Sequence, residues 1–171
     1  AGGGIAISHS AVIIKNSIII GNQTMNDGGE GGGIKINANS DYTKLENVTI
    51  ADNISTAGGA IFSATKNLSL INVTISSNVA PFGGAIKCYG SDGSSTNLLN
   101  TIFWNNTSPE IFLHTENDTI TISYSDIEEG QDSIITNDGV VNWLEGNINA
   151  DPLFCDPLGY NFTLAQNSPC V

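Results

Sequence analysis

The 171-residue chain has no arginine and only five lysines, set against seventeen acidic residues and a formal net charge of −12. Partners such as nucleic acid, an anionic membrane surface or a polyanionic polysaccharide require clustered Lys/Arg to replace released counterions, so none of them is expected. A run of eighteen or more apolar residues is also missing. Val12-Ile13-Ile14 and Ile18-Ile19-Ile20 are interrupted by Lys15 and Asn16, and membrane insertion of this segment is therefore not expected. Good helix formers are sparse as well. Gly, Asn, Ser, Thr and Ile dominate instead, with turn residues every ten positions or so, and such a composition reads as all-β. No signal peptide is visible, and Ala1 opens almost directly into a repeat. A mature or excised piece of something longer is expected. The length suits about one domain with a real core.

What the chain does have is a phrase that keeps returning: Gly2-Gly3-Gly4-Ile5, Gly31-Gly32-Gly33-Ile34, Gly58-Gly59-Ala60-Ile61 and Gly83-Gly84-Ala85-Ile86, with a degenerate copy at Ser108-Pro109-Glu110-Ile111. The anchoring isoleucines stand 29, 27, 25 and 25 residues apart, a period for stacked structural repeats. A second phrase fills the other half of each repeat, opening on Asn16, Asn47, Asn72 and Asn100 and closing six residues later on Asn22, Asn53, Asn78 and Asn106. Apolar anchors Ile19, Ile50, Ile75 and Phe103 lie three residues before each closing Asn.

Two or three short strands per repeat of about 25 residues, with no helical pattern between them, describe a coil whose turns pair in parallel. The expected fold is all-β, a right-handed parallel β-helix of about five rungs. An antiparallel β-sandwich would not demand such strict recurrence of residue type. If the anchoring isoleucines point inward, so do Ile7, Ile36, Ser63, Cys88 and Leu113 two places on, which places Cys88 in the core. Matched asparagines are expected to stack at the corners, and Gly-Gly to supply backbone angles closed to other residues.

The Gly-Gly-Ala-Ile phrase coupled to apolar-x-x-Asn resembles the repeat of polymorphic outer-membrane proteins and their relatives in the pectate-lyase-like superfamily of right-handed β-helices. Further on, Ile122-Ser123-Tyr124-Ser125-Asp126-Ile127, the run Gly146 to Phe154 containing Asp151-Pro152-Leu153-Phe154, Tyr160 to Leu164 and Ser168-Pro169-Cys170-Val171 are similar to the closing segment of secreted bacterial β-helix proteins. This resemblance implies a large, surface-anchored or secreted parent protein. It also implies a truncation, because in that family more residues, including Asp and Gly, follow the Ser-Pro-Cys.

The period weakens after Thr119, and Asn147–Val171 holds three of the five prolines. Residues 1–146 are thus expected to form the rungs and 147–171 a cap, with Phe154, Tyr160, Phe162 and Leu164 lying over the last open layer. Cys155 and Cys170, close together in that segment, are the expected disulfide. The competing reading is that all three cysteines are small buried residues in a reducing compartment.

Catalysis is the first function to weigh. A glycosidase-type site needs two carboxylates roughly 5–9 Å apart. The outward columns after the glycine corner hold Ala6, Lys35, Phe62, Lys87 and Phe112, beside Ser8, Asn37, Ala64, Tyr89 and His114, with no acid in either. His9 and His114, about four rungs apart, would be separated by roughly 20 Å. No enzymatic activity is expected. For metal, Asn26 to Glu30 and Asp126 to Asp132 offer oxygen ligands of the kind that suits Ca²⁺ (Asp27, Glu30, Asp126, Glu128, Glu129, Asp132), yet neither follows an EF-hand or calcium-coil spacing, and solvated acidic loops are the competing reading. No cofactor is expected. For binding, Phe62, Tyr89, Phe112 and His114 form an expected exposed aromatic strip beside Lys35 and Lys87, suited to sugar rings or a partner protein; the competing reading is that Phe62 and Phe112 cover a packed loop. Nine Asn-x-Ser/Thr sequons are present, most of them inside the repeat phrase. Asn22, Asn67, Asn117 and Asn161 are the glycan candidates, because stacked asparagines would be inaccessible.

Together these readings point to a non-catalytic extracellular or cell-surface module with a structural or adhesive role. Its expected partners are other surface proteins or copies of itself, joined end to end into a filament. The alternative is a carbohydrate-binding module of a polysaccharide-processing protein.

Overall fold

The structure is a computed structural model and describes residues 2–24, 28–90 and 93–171. It is all-β, a parallel β-solenoid of about five turns. Each glycine phrase delivers a three-residue strand. Ile5–Ile7, Ile34–Ile36, Ile61–Ser63, Ile86–Cys88 and Ile111–Leu113, followed by Ile134–Ile135, stack in that order as a six-stranded parallel sheet. The anchoring isoleucines pair directly: Ile5 with Ile34, then Ile61, Ile86, Ile111 and Ile134. Gly58 shows why the phrase starts with glycine. Its φ is +63°, and a Cβ there would sit 2.2 Å from the carbonyl oxygen of Ile61.

The second phrase builds the other sheet, from Val12–Ile20, Tyr42–Ala51 and Asn67–Ser76, then Ser95–Leu99 with Ile102–Trp104, Thr119–Ser123 with Asp126–Ile127, and Val140–Trp143. The first four of its rungs bend at the opening Asn, where Asn16, Asn47, Asn72 and Asn100 all have φ between 49° and 56°, and the fifth bends at Tyr124, with φ 48°. Asn accepts this left-handed geometry better than other side chains.

Inward residues form the expected ladders. Ile36, Ser63, Cys88 and Leu113 are fully buried and Ile7 nearly so, as are Ile50, Ile75 and Phe103, with Ile19 close behind. Each such Ile or Leu contributes about 1.5–3 kcal/mol of hydrophobic stabilisation.

Two asparagine ladders run along the coil. The outer one links the opening residues, with Asn47 donating to Asn16 at 3.0 Å, Asn72 to Asn47 at 3.0 Å and Asn100 to Asn72 at 2.7 Å. The inner one links the closing residues. Nδ2 of Asn22, Asn53 and Asn78 donates in turn to Oδ1 of Asn53, Asn78 and Asn106, at 2.9, 2.9 and 2.8 Å. The same oxygens also accept backbone N–H groups from the preceding rung. In this way the corner's buried polar groups are satisfied, as buried groups must be.

The C-terminal segment departs from the expected cap. Asn147 and Ile148 still belong to the coil, Asn147 accepting Ser125 N–H and Ile148 bridging Asp126. The chain then turns back along the flank of the second sheet as a short antiparallel hairpin, Phe154–Asp156 with Asn161–Leu164. Phe154 faces the rungs of Ser76 and Trp104, while Leu164, Pro169 and Cys170 face those of Asn72, Asn100 and Tyr124. Phe154 and Phe162 pack edge to face at 5.2 Å, and Tyr160 is exposed. At the final rung Val141 and Trp143 are half-buried against the core.

Candidate functional site

The outward face of the first sheet carries the residues singled out from the sequence. Ala6, Lys35, Phe62, Lys87, Phe112 and Ile135 stand in one register column. Tyr89 and His114 lie beside it. Phe62 stacks on Tyr89 at 5.8 Å between centroids, and Tyr89 on His114 at 4.3 Å. Phe82, from the corner, meets Phe112 edge to face at 5.6 Å. The Lys87 ammonium lies 5.3–5.8 Å from the rings of Phe82, Phe112 and Tyr89, a geometry of cation–π attraction. Partial burial lowers the pKa of Lys87. Lys35 sits over Phe62 and pairs with Glu30 at 2.7 Å.

One expected member is not exposed: Phe62 is buried. Long lysine stems on the rungs above and below, together with the Tyr89 ring, cover it. Tyr89 and His114 remain at the surface, with Lys35, Lys87 and Phe112 half-buried.

The three cysteines are free, so the expected Cys155–Cys170 bond is not formed. Cys155 is exposed on the hairpin, whereas the Cys170 thiol turns onto the Asp126 carboxylate at 3.1 Å. Closeness in sequence does not pair them: Cys155 stands on the exposed side of the hairpin strand and Cys170 bonds to a rung residue. Burial, and then Asp126 itself, push the Cys170 pKa up to about 12. Cys88 is buried in its inward column, and burial likewise raises it to about 12.

Among the oxygen ligands, Asp27 lies outside the described residues. Glu30 is engaged by Lys35, Asp126 accepts Ala150 N–H and Cys170, Glu128 accepts Asn105 N–H at 2.5 Å, and Asp132 is exposed. They do not converge: among the described residues no group of three or more His, Cys, Asp and Glu side chains is placed to hold a metal. Of the glycan candidates, Asn67, Asn117 and Asn161 are exposed. Asn22 is instead the first member of the inner ladder, its amide donating to Ile20 O and to Asn53.

Two features escaped the sequence reading. Glu110, in the degenerate glycine phrase, is buried, and burial raises its pKa to about 8 despite hydrogen bonds from Asn106 that pull the other way. It borders a small cleft of about 140 Å³ with Glu128 and Glu129. The displaced position of Glu in a phrase otherwise made of Gly and Ala was the available signal. A second cleft, of about 310 Å³, opens between Trp104 and the returning hairpin. No period links Trp104 to residues 151–157, so this pairing has no signature in the sequence. Compared with protein-family models, with curated proteins and with solved structures, the chain shows no match to any of the three.

Proposed function

We propose that this protein is a non-catalytic extracellular structural and adhesive module of a cell-surface or secreted protein, a right-handed β-helix of the pectate-lyase-like kind whose flank contacts partners and whose rungs stack end to end with further copies. One observation carries the reading. The outward ladder of the first sheet is a continuous aromatic and lysine band whose members contact one another from rung to rung. A band of this kind suits a flat protein surface, where aromatic residues beside a cation serve as anchors. A sugar platform made of the same rings is less favoured, because Phe62, Tyr89 and His114 already use ring faces on one another.

Analytical ultracentrifugation with negative-stain electron microscopy of the purified chain tests the assembly. Rods whose axial repeat matches one chain are expected at high concentration, and monomers at every concentration would overturn end-to-end stacking. Pull-down of surface proteins by the native chain, lost in Tyr89→Ser, tests the band.

A further inference from the structure

The cleft beside Trp104 lies on the other sheet and is independent of the band. Trp104 ends its strand with its Cα paired to Ser76, and Ser76 is paired in turn to Ala51. Along this outward register column the half-buried indole stands next to two small, buried residues, and a cleft lined by Trp104 and Ser76 opens beside it. The returning segment closes the cleft from outside with Asp151, Phe154 and Pro157, while Ser77 and Asn105 supply its polar side. Phe162 holds the Phe154 ring edge to face at 87° and 5.2 Å, so the second aromatic wall is set before any ligand arrives. The cleft's volume of about 310 Å³ is at the lower end of small-molecule sites, which span about 300–1,000 Å³.

Its chemistry selects the ligand. Two half-buried aromatic walls offer apolar surface, and hydroxyl, amide and carboxylate groups stand beside them: Ser77 Oγ accepts from Asn105 Nδ2 at 3.2 Å, and Asp151 Oδ1 accepts Leu153 N–H at 2.9 Å. A wholly apolar ligand would desolvate these polar groups without pairing them. An anionic ligand would meet Asp151 and, through the adjoining cleft that shares Asn105, Glu128 and Glu129, with no lysine lining either space. A pyranose ring has what remains: C–H faces for an indole and a rim of hydroxyls for amide and carboxylate.

We propose that this cleft binds one ring of an uncharged hexopyranose glycan, with Trp104 as its platform and Asp151 and Asn105 holding its hydroxyls. Isothermal titration calorimetry of the whole chain with cellohexaose, mannohexaose and chitohexaose, and with hexagalacturonate as the charged control, tests it. At least one neutral hexasaccharide is expected to bind with a Kd of about 10 μM to 1 mM, and hexagalacturonate at least about tenfold more weakly, through charge repulsion. Trp104→Ala should weaken binding about tenfold or more, consistent with loss of an aromatic anchor. Trp104→Phe should keep most of it, and Tyr160→Ser, an exposed ring of the same hairpin outside the cleft, should leave it unchanged. Circular dichroism confirms that each variant is folded. Absence of heat and of saturation-transfer NMR signals with all three neutral glycans would overturn the proposal, as would undiminished binding by a folded Trp104→Ala. Neither result bears on rod assembly, which ultracentrifugation reads separately.

Discussion

Glu110 receives the end of the inner asparagine ladder, its Oε2 accepting the Asn106 side-chain N–H at 2.8 Å and its Oε1 the Asn106 backbone N–H at 3.3 Å. Three residues beyond the paired Phe103 and Ile127, one rung has Asn106 and the next has Gly130. A carboxyl group from the neighbouring corner thus stands where another asparagine would continue the ladder.

This substitution makes folding pH-dependent. Glu110 holds its proton up to about pH 8 in the folded chain, whereas an unfolded glutamate releases it near pH 4.3. The folded state therefore binds more protons between these values, and the stabilisation present below about pH 4.3 is lost as pH rises through about 8. The urea midpoint should fall from pH 5 to pH 8.5, by a few kcal/mol in stability. Asp52 and Asp126, also raised by burial, add in the same direction. Glu110→Gln should remove the largest part of the slope; an unchanged slope would sink the assignment.

The two ladders should differ in worth. Asn78 is fully buried, and Asn78→Ala strips the acceptor from Asn53 N–H and Nδ2 and the donor from Ile50 O. The expected cost is about 2–4 kcal/mol. Asn72 lies in the exposed ladder, where water replaces the lost partner. Asn72→Ala should cost roughly 1 kcal/mol, mostly from its left-handed backbone. Urea midpoints of the two variants decide, and equal losses would contradict the distinction.

Some buried hydroxyls weaken the core. Thr43 Oγ1 and Ser63 Oγ are buried without a hydrogen-bond partner. Thr43→Val and Ser63→Ala remove that desolvation cost while nearly keeping shape. Each should stabilise the chain by about 0.5–1.5 kcal/mol, seen as a higher melting temperature. A lower one in both would mean that these hydroxyls are hydrated or bonded.

The thiols should react in a fixed order. Cys155, exposed, should take Ellman's reagent at once at pH 8, Cys170 slowly because burial and then Asp126 favour its protonated form, and Cys88 only after denaturation. Intact mass should correspond to three free thiols. A native chain lighter by two hydrogens would restore the Cys155–Cys170 bond.

The coil was readable because its period repeats each inference. An inward Ile61 predicts an inward Ile86, and parallel pairing confirms both at once. Even the outward column from Ala6 to Phe112 is in the expected register. What could not be read depends on contacts without a period. Phe62 is outward by register yet buried, because the lysine stems beside it are long enough to lie over it. The fate of residues 149–171 depends on which flank the hairpin finds. With it went the cap, the disulfide and the second wall of the Trp104 cleft.

That hairpin also has a mechanical meaning. In a solenoid the bonds between rungs lie along the axis, so a pull on the ends peels one rung at a time. The returning segment faces the rungs of Asn72, Asn100 and Tyr124 together. A segment so placed is expected to act as a splint: a pull that opens one of these rungs also loads the contacts that Leu164, Pro169 and Cys170 make across its neighbours.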